Sequence, residues 1–131
     1  MSENKKQQYG DPITYSFWDA AEKHQLLIQH CPTCGSYQFY PRPFCVNCGS
    51  SGVVWTETKG RATIYSLTTV RVQISPEFHP PYVVAVIQLD EGPRMLTNIE
   101  SLDPQIGDRI QLSWHERKDA PPIPIWTQIK H

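Results

Sequence analysis

The sequence has 131 residues, with 12 Lys and Arg against 13 Asp and Glu, which gives a formal net charge of −1. This length allows one ordinary domain or two small modules that share a core. The near-zero charge disfavours a protein that binds the phosphate backbone of nucleic acids. The 12 prolines are spread along the chain and limit the length of any helix, so they argue against a helix bundle.

The sequence gives no indication of a membrane or secreted protein. No apolar run approaches the ~20 residues that are needed to cross a bilayer. Residues 1–10 are polar and lack the apolar core of a signal peptide. We therefore expect a cytoplasmic protein that does not enter a membrane.

Residues 1–25 are expected to form a polar lead and a short helix. One face of the helix is defined by residues at steps of three and four positions, namely Phe17, Ala20, Ala21 and His24. Thr14 or Ser16 is placed to act as the N-cap. The adjacent Phe17 and Trp18 have two interpretations, which are packing on the rest of the fold and docking of a partner on an exposed aromatic pair.

All four cysteines lie in one short segment and form two copies of the unit Cys-x-x-Cys-Gly, at Cys31/Cys34 and Cys45/Cys48. Two residues between the thiols allow both sulfurs to turn toward one point, and the following glycine allows a positive φ. The 10 residues between the pairs suffice for a hairpin that brings the pairs together. Four thiolates would then surround one ion at ~2.3 Å in a closed tetrahedral shell.

Other interpretations of the four cysteines are two disulfides or free thiols. Disulfides would need an oxidising compartment, which the polar N-terminal residues do not support. Zinc is the favoured ion, but a rubredoxin-like iron site has the same four ligands, and an electron-transfer function would follow from it. In either metal site, no cysteine remains to act as a nucleophile.

Residues 26–57 are expected to form a zinc ribbon around this site. Its strands are predicted at 26–28, 37–40 and 53–55. The Pro41-Arg42-Pro43 turn precedes the second cysteine pair and holds Arg42 outward. A unit of this size buries too little apolar surface to fold well unaided, so the ion is expected to stabilise it.

Residues 58–131 are expected to form a five-stranded barrel of the OB type, with an SH3-like barrel as the competing architecture. The strands are predicted at 61–74, 82–89, 94–99, 110–114 and 123–129. The first strand is long enough to need a bend. Residues 75–81 form a proline-rich loop, and residues 90–92 form a short hairpin loop. The predicted fold class is mainly β, with one short N-terminal helix.

The sequence lacks common catalytic motifs. It has no Gly-x-Ser-x-Gly elbow, no glycine-rich phosphate loop and no paired His-Glu metal motif. Among the five histidines, His79 in the proline-rich loop is the candidate for a functional position, and a solvated loop histidine is the alternative. We expect that the chain is not an enzyme by itself.

The order of the motifs resembles that of the DUF35 OB-fold proteins, which combine an N-terminal helix, a rubredoxin-like zinc ribbon and a C-terminal OB barrel. The matching residues are Phe17-Trp18, the four cysteines, Pro41-Arg42-Pro43, Trp55, Gly60, Tyr65-Ser66, Pro81-Tyr82, Gly92 and Ile106-Gly107-Asp108. They extend over nearly the whole chain from residue 15. Each motif alone is weak, but their joint order is specific.

The resemblance implies an accessory role in acyl-CoA chemistry. Members of this family look like partners of thiolase-fold enzymes. These enzymes include ketoacyl thiolases, lipid-transfer-type aldolases of steroid side-chain breakdown, archaeal hydroxymethylglutaryl-CoA synthase and phloroglucinol acyltransferases. Other members are joined to hydratase-type domains. The implied partner is a thiolase-fold subunit in a hetero-oligomer, and the catalytic Cys and His would lie on that partner.

The aromatic residues of the proline-rich loop and the arginine near it are where we expect a CoA ligand to bind. Phe78, His79 and Tyr82 are the candidate residues to face a CoA thioester, and Arg71 would favour its phosphates. Phe17 and Trp18 are the candidate docking residues for the partner subunit.

The alternative function is a module that binds single-stranded nucleic acid, because zinc ribbons and OB barrels often do so through stacked aromatic rings. Tyr65, Trp114 and Trp126 would be the stacking residues. From residue 61 onward, however, the chain carries 7 Lys and Arg against 8 Asp and Glu, so its charge disfavours this function.

Overall fold

The computed structural model describes residues 9–74, 76 and 78–129. These residues form a 3₁₀ turn at Pro12–Thr14, one α-helix (α1, Tyr15–Glu22) and eight strands. The strands are β1 Leu27–His30, β2 Tyr37–Gln38, β3 Val54–Glu57, β4 Arg61–Val70, β5 Tyr82–Leu89, β6 Arg94–Ile99, β7 Arg109–His115 and β8 Ile123–Gln128. The predicted fold class, mainly β with a short N-terminal helix, is confirmed. No helix in the described part of the chain is long and apolar enough to cross a membrane.

The chain enters α1 through a turn that Asp11 caps. The Asp11 side chain accepts a hydrogen bond from the Thr14 backbone N–H, and the Thr14 hydroxyl donates to the Asp11 carbonyl at 2.9 Å. Thr14 occupies the N-cap position of α1, but its side chain makes no capping hydrogen bond to the helix. The preceding turn already uses the hydroxyl. The helix buries Phe17, Ala20 and Ala21, which lie on the predicted face.

His24, just beyond α1, joins the end of the helix to the barrel. Its backbone has a φ of 59°, and its ring stacks on the Trp114 ring with centroids 5.4 Å apart. The Nε2 atom of His24 lies 2.6 Å from a carboxylate oxygen of Glu116. Both of these partners belong to β7 or the residue after it, so the helix is fixed against that side of the barrel.

The ribbon is an antiparallel three-stranded sheet in the order β2-β1-β3. The central strand β1 pairs with β2 at two positions and with β3 along its full length. The predicted number of strands is correct, but β2 ends at Gln38 rather than at residue 40. Pro41 cannot donate a ladder hydrogen bond, and the chain turns away before it.

The barrel is closed, with the strand order β4-β5-β6-β8-β7. β4 pairs with β5 on one side and with β7 on the other, which closes the sheet on itself. β6 and β8 are parallel, and the other neighbouring strands of the barrel are antiparallel. The predicted five-stranded OB-type barrel is confirmed.

The first barrel strand contains the predicted bend. The register of β4 against β5 shifts between Ile64 and Ser66, which is a bulge that allows the strand to curve around the core. β4 ends at Val70, which pairs with Tyr82, so the predicted strand is too long by four residues. Pro80 and Pro81 precede Tyr82 on the partner side and have no N–H to donate, so the ladder does not continue. β5 and β6 have the predicted bounds.

The helix, the ribbon and the barrel share one hydrophobic core. Phe17 comes from α1, Leu26 and Ile28 come from the ribbon, and Ile64 and Trp126 come from the barrel. Leu26, Ile28, Ile64 and Trp126 are at most 1% exposed. The helix, the ribbon and the barrel bury apolar side chains against one another, and this burial adds to the free energy of unfolding.

A bidentate ion pair fixes the end of the barrel at which β4 meets β7. The Arg109 guanidinium donates to both carboxylate oxygens of Asp90 at 2.7 and 2.9 Å, and it donates to the Thr63 hydroxyl at 3.0 Å. These hydrogen bonds hold the pKa of Asp90 below its usual range. Since the pKa is lower in the folded state, the pair stabilises the fold above pH ~4 and loses its effect on acidification.

The Asp90→Asn substitution is expected to lower the free energy of unfolding by up to about 1 kcal/mol at pH 7, because both side chains are largely solvated. The difference from the wild type should shrink as the pH falls below about 4. Urea unfolding at pH 7 and pH 3 measures it, with the exposed Asp119→Asn as the control. An equal difference at both pH values would contradict the assignment.

Candidate functional site

The four cysteine sulfurs form a compact cluster, and all of their Sγ atoms lie within 4.8 Å of one another. The Cys31 and Cys48 sulfurs are 3.7 Å apart, and those of Cys34 and Cys45 are 3.6 Å apart. Thiolates that surround a zinc ion at ~2.3 Å form a tetrahedron with edges of about 3.8 Å. A disulfide needs an S–S distance of about 2.05 Å, so the cluster has the spacing of a metal site and not of disulfides.

The two cysteine pairs are held by the same backbone hydrogen bonds. The Gly35 and Gly49 amides donate to the carbonyls of Cys31 and Cys45 at 2.7 and 2.8 Å. Both glycines have the predicted positive φ, at 80° and 83°. In this conformation the chain turns back after each pair, so that two knuckles face each other across one centre.

The thiol pKa values of Cys34 and Cys48 differ strongly because the two sulfurs have different hydrogen-bond partners and neighbours. Hydrogen bonds from Ser36 and then Asn47 lower the pKa of Cys34 to about 5. For Cys48, the Ser50 amide favours the thiolate, but desolvation and the three other thiols outweigh it and raise the pKa to about 12. A bound cation would compensate the negative charge of four neighbouring thiolates and hold them together.

The donor set therefore fits a tetrahedral metal ion held by Cys31, Cys34, Cys45 and Cys48. Cys31 and Cys45 are buried, and Cys34 and Cys48 are exposed, so the centre lies at the surface of the ribbon. Four thiolates fill a tetrahedral shell and leave no position for a substrate. The centre can stabilise the ribbon, and its sulfurs are not available as nucleophiles.

A surface cavity of about 370 Å³ contains three of the four predicted ligand-binding residues, namely Phe78, His79 and Tyr82. The Phe78 ring centroid lies 5.4 Å from that of Tyr82 and 4.9 Å from that of His115. Arg71, the fourth predicted residue, is exposed and is not among the described residues that line this cavity. The structure thus brings the rings of Phe78, Tyr82 and His115 together in one cavity, and Arg71 lies outside it.

His115 is the cavity residue that the sequence did not indicate. It is the last residue of β7, where it pairs with Ile123 of β8. This end of β7 lies beside the proline-rich loop, so His115 lines the same cavity as Phe78. The alternating pattern of β7 predicts a strand, but it contains no information about which distant loop covers the end of that strand. Only the closed barrel brings His115 to Phe78.

Phe17 and Trp18 line a second cavity of about 480 Å³, where α1, the ribbon and the barrel meet. Phe17 is only 6% exposed and belongs to the core, whereas Trp18 is half-buried and packs edge-on against Phe17. The exposed side chains of Tyr40 and Leu96 form part of the same cavity. Phe17 thus packs on the fold, and docking of a partner at this cavity stays a prediction.

The three predicted stacking residues do not form one platform for bases. Trp126 is 0% exposed, so the prediction that it stacks on a base is wrong. The Trp126 side chain belongs to the hydrophobic core of the barrel. Tyr65 is exposed, with the Arg94 guanidinium 3.7 Å from its ring centroid, and Trp114 is covered on one side by His24.

Models of known protein families match both modules. Residues 18–54 match the model described as "ChsH2, rubredoxin-like zinc ribbon domain". Residues 55–115 match "ChsH2, C-terminal OB-fold domain". The class of protein is therefore a zinc ribbon joined to an OB-fold barrel.

Similar proteins include scaffold proteins and enzyme subunits. A DUF35 domain-containing scaffold protein of Pyrococcus furiosus is 32% identical over 99 residues, which is 73% of this chain and 72% of that protein. The probable enoyl-CoA hydratase alpha subunit of Thermomonospora curvata is 34% identical over 115 residues, and the 3-oxo-4,17-pregnadiene-20-carboxyl-CoA hydratase alpha subunit of Mycobacterium tuberculosis is 29% identical over 114 residues. The alignments cover 85% and 87% of this chain but only 36% and 35% of the hydratase subunits. The chain belongs to the DUF35 family.

Two solved structures have the same fold. A chain of the structure named "Ltp2-ChsH2(DUF35) aldolase" superposes with a TM-score of 0.83 and 29% identity, over 93% of this chain and 98% of that chain. A DUF35 protein of unknown function from Sulfolobus solfataricus superposes with a TM-score of 0.67 and 16% identity, over 92% of this chain and 88% of that chain. At that identity, the second match supports the fold alone.

The metal site makes a direct prediction. The purified chain should carry one tetrahedral metal ion, and Cys45→Ser should lose it and destabilise the ribbon, because the site then has three thiolates. Elemental analysis and the absorption spectrum measure the stoichiometry and distinguish colourless zinc from coloured iron. Acidification should release the ion, since protons compete for the thiolates. Full retention of metal by Cys45→Ser would contradict the four-cysteine shell.

Proposed function

We propose that this chain is a non-catalytic accessory subunit that assembles with a thiolase-fold enzyme and helps to position its acyl-CoA thioester substrate. The observation that carries the proposal is the match over nearly the whole of both chains to the DUF35 chain of an Ltp2-ChsH2 aldolase. The names of the two similar hydratase alpha subunits refer to CoA thioesters, which supports acyl-CoA as the substrate class.

The chemistry of the chain supports a scaffold rather than a catalyst. Its four cysteines are grouped as metal ligands, and a thiolate bound to a closed metal centre is a poor nucleophile. The acyl-transfer or carbon–carbon cleavage step is therefore assigned to the partner. The contribution of this chain is binding and orientation, which raise the rate of a reaction between two bound groups.

The cavity at Phe78 is the proposed contact with the thioester. The rings of Phe78, Tyr82 and His115 provide an aromatic wall, and His79 and Asn98 add hydrogen-bonding groups to the lining. Arg71 lies just beyond β4, at the start of the loop that ends at the cavity. It is proposed to meet the phosphates of CoA outside the cavity, where an exposed guanidinium can bind them in a bidentate manner.

The cavity at Trp18 is the proposed docking site for the enzyme subunit. It is lined by aromatic and aliphatic groups from three modules, and Leu96 and Tyr40 are 68% and 56% exposed. Exposed apolar side chains beside aromatic rings are typical of protein interfaces. The net charge of −1 also suits packing against another protein better than binding to nucleic acid.

The partner prediction is tested by co-expression of this chain with a thiolase-fold enzyme from the same organism. The two proteins are expected to co-purify as a hetero-oligomer of fixed stoichiometry, and the enzyme should lose activity when this chain is omitted. Size-exclusion chromatography with light scattering and a thioester assay measure both effects. Equal activity of the enzyme alone would reject the accessory role.

The ligand prediction uses the assembled complex. Phe78→Ala and Arg71→Ala should each raise the KM for the acyl-CoA about tenfold and change kcat little, because they remove binding and not chemistry. Val72 is exposed in the same loop and is not among the described residues that line the cavity, so Val72→Ala serves as the matched control. An unchanged KM in both variants would place the thioester elsewhere.

The nucleic-acid alternative is tested separately by titrating labelled single-stranded oligonucleotides at low and high salt. We expect no salt-dependent binding, because the charge is balanced and Trp126 is buried. Binding that weakens steeply with salt would favour the alternative.

A further inference from the structure

Two buried glutamines lie side by side in the ribbon. Gln29 on β1 and Gln38 on β2 are paired across the sheet, and only 4% and 8% of their surface is exposed. A buried amide is costly unless its polar atoms are hydrogen-bonded. The partners of these two side chains therefore indicate what the pair does.

Both glutamines bind the backbone of the segment that leads into the second cysteine pair. The Arg42 N–H donates to Gln29 Oε1 at 2.8 Å, and Gln29 Nε2 donates to the Arg42 carbonyl at 2.8 Å. Gln38 Nε2 donates to the Phe44 carbonyl at 3.1 Å, and the Val46 N–H donates to Gln38 Oε1 at 3.0 Å. A hydrogen bond of 2.7 Å from Gln38 Nε2 to Gln29 Oε1 joins the two amides.

The polarity of the backbone defines the orientation of both amides. An N–H can only donate and a carbonyl can only accept, so the atoms that meet Arg42 and Val46 cannot be exchanged by rotating either amide. Gln29 uses both acceptor positions of its oxygen, and Gln38 uses both N–H groups of its nitrogen. The two side-chain amides therefore form one hydrogen-bond network with a defined orientation.

The two glutamines supply hydrogen bonds that the backbone around Arg42 cannot form within its own turn. Pro41 and Pro43 have no N–H, so the turn around Arg42 has few backbone donors of its own. The first cysteine pair needs no such support, because Cys31 directly follows β1. Cys45 lies between the two residues that Gln38 holds, in the loop between β2 and β3.

We propose that Gln29 and Gln38 are positioning residues for the metal centre. They hold Phe44, Val46 and the Pro41–Pro43 turn so that Cys45 and Cys48 face Cys31 and Cys34 at ligating distance. In this role they slow the release of the metal ion, because the second knuckle cannot swing away without breaking buried hydrogen bonds. The inference concerns the chain by itself and does not depend on the proposed partner.

The test compares metal release from the zinc-loaded chain. Gln38→Leu and Gln29→Leu keep the volume of the side chain but remove its hydrogen bonds. Each should speed zinc transfer to a colorimetric chelator by roughly 10- to 100-fold, the usual effect of removing a group that orients a metal ligand. The double variant should be little faster than either single variant, because each single change already breaks the network.

Two control variants separate positioning from general loss of stability. Gln111→Leu makes the same chemical change on the exposed face of β7, and Ile110→Val weakens the barrel core. Neither should change the rate of zinc release. The visible spectrum of the cobalt-loaded chain should change in the two ribbon variants and stay constant in the controls, since it reports the geometry of the thiolates. Unchanged release from both ribbon variants, or equal acceleration by Ile110→Val, would overturn the proposal.

Hydrogen exchange in the unmodified chain provides a test that does not require the variants to fold. Arg42 and Val46 lie in an exposed loop, but their amides donate to buried glutamine oxygens. Both amide protons should be protected in the zinc-loaded chain at least tenfold more than those of the exposed residues Ser51 and Leu102. Exchange of Arg42 and Val46 at the same rate as those reference amides would overturn the proposal.

Discussion

Four sulfurs within 4.8 Å of one another impose the main constraint on this structure. Although the Ser50 amide favours the thiolate of Cys48, desolvation and the neighbouring thiols raise the pKa of Cys48 to about 12. A bound cation compensates the negative charge of the thiolates and converts a weak hairpin into a rigid ribbon. The ribbon in turn contributes Leu26 and Ile28 to the core that it shares with the helix and the barrel.

This constraint also accounts for the division of labour that we propose. A closed thiolate shell stabilises structure and withdraws every cysteine of the chain from chemistry. What remains on the surface is suited to recognition, with an aromatic cavity at the proline-rich loop and an apolar cavity at the junction of the modules. The relatives named as scaffold proteins and enzyme subunits agree with that assignment.

Much of the fold could be predicted from local patterns. Cysteine spacing with a following glycine identifies the knuckles, and the continuous apolar run from Tyr82 to Leu89 has the bounds of β5. Patterns of this kind depend on neighbours in sequence. The end of β4 was predicted less well, because the position at which pairing stops depends on the partner strand and on the loop beyond it.

The polar contacts between distant residues could not be predicted. Nothing in the sequence separates Gln29 and Gln38 from exposed glutamines, and they become a network only when β1 and β2 pair. In the same way, His115 joins the cavity only through barrel closure, and Trp126 turns inward because of the register of β8. Long-range pairing decides such features, and a single sequence contains little direct information about it.

The central claim is that this chain organises a reaction that another subunit catalyses. The most direct measurement is the rate of thioester turnover at a fixed amount of the thiolase-fold enzyme, while the zinc-loaded chain is titrated in. The account predicts that turnover rises and saturates at the stoichiometry of the complex, and that the chain alone has no activity. Turnover by the chain alone, or a rate that is independent of its concentration, would contradict the account.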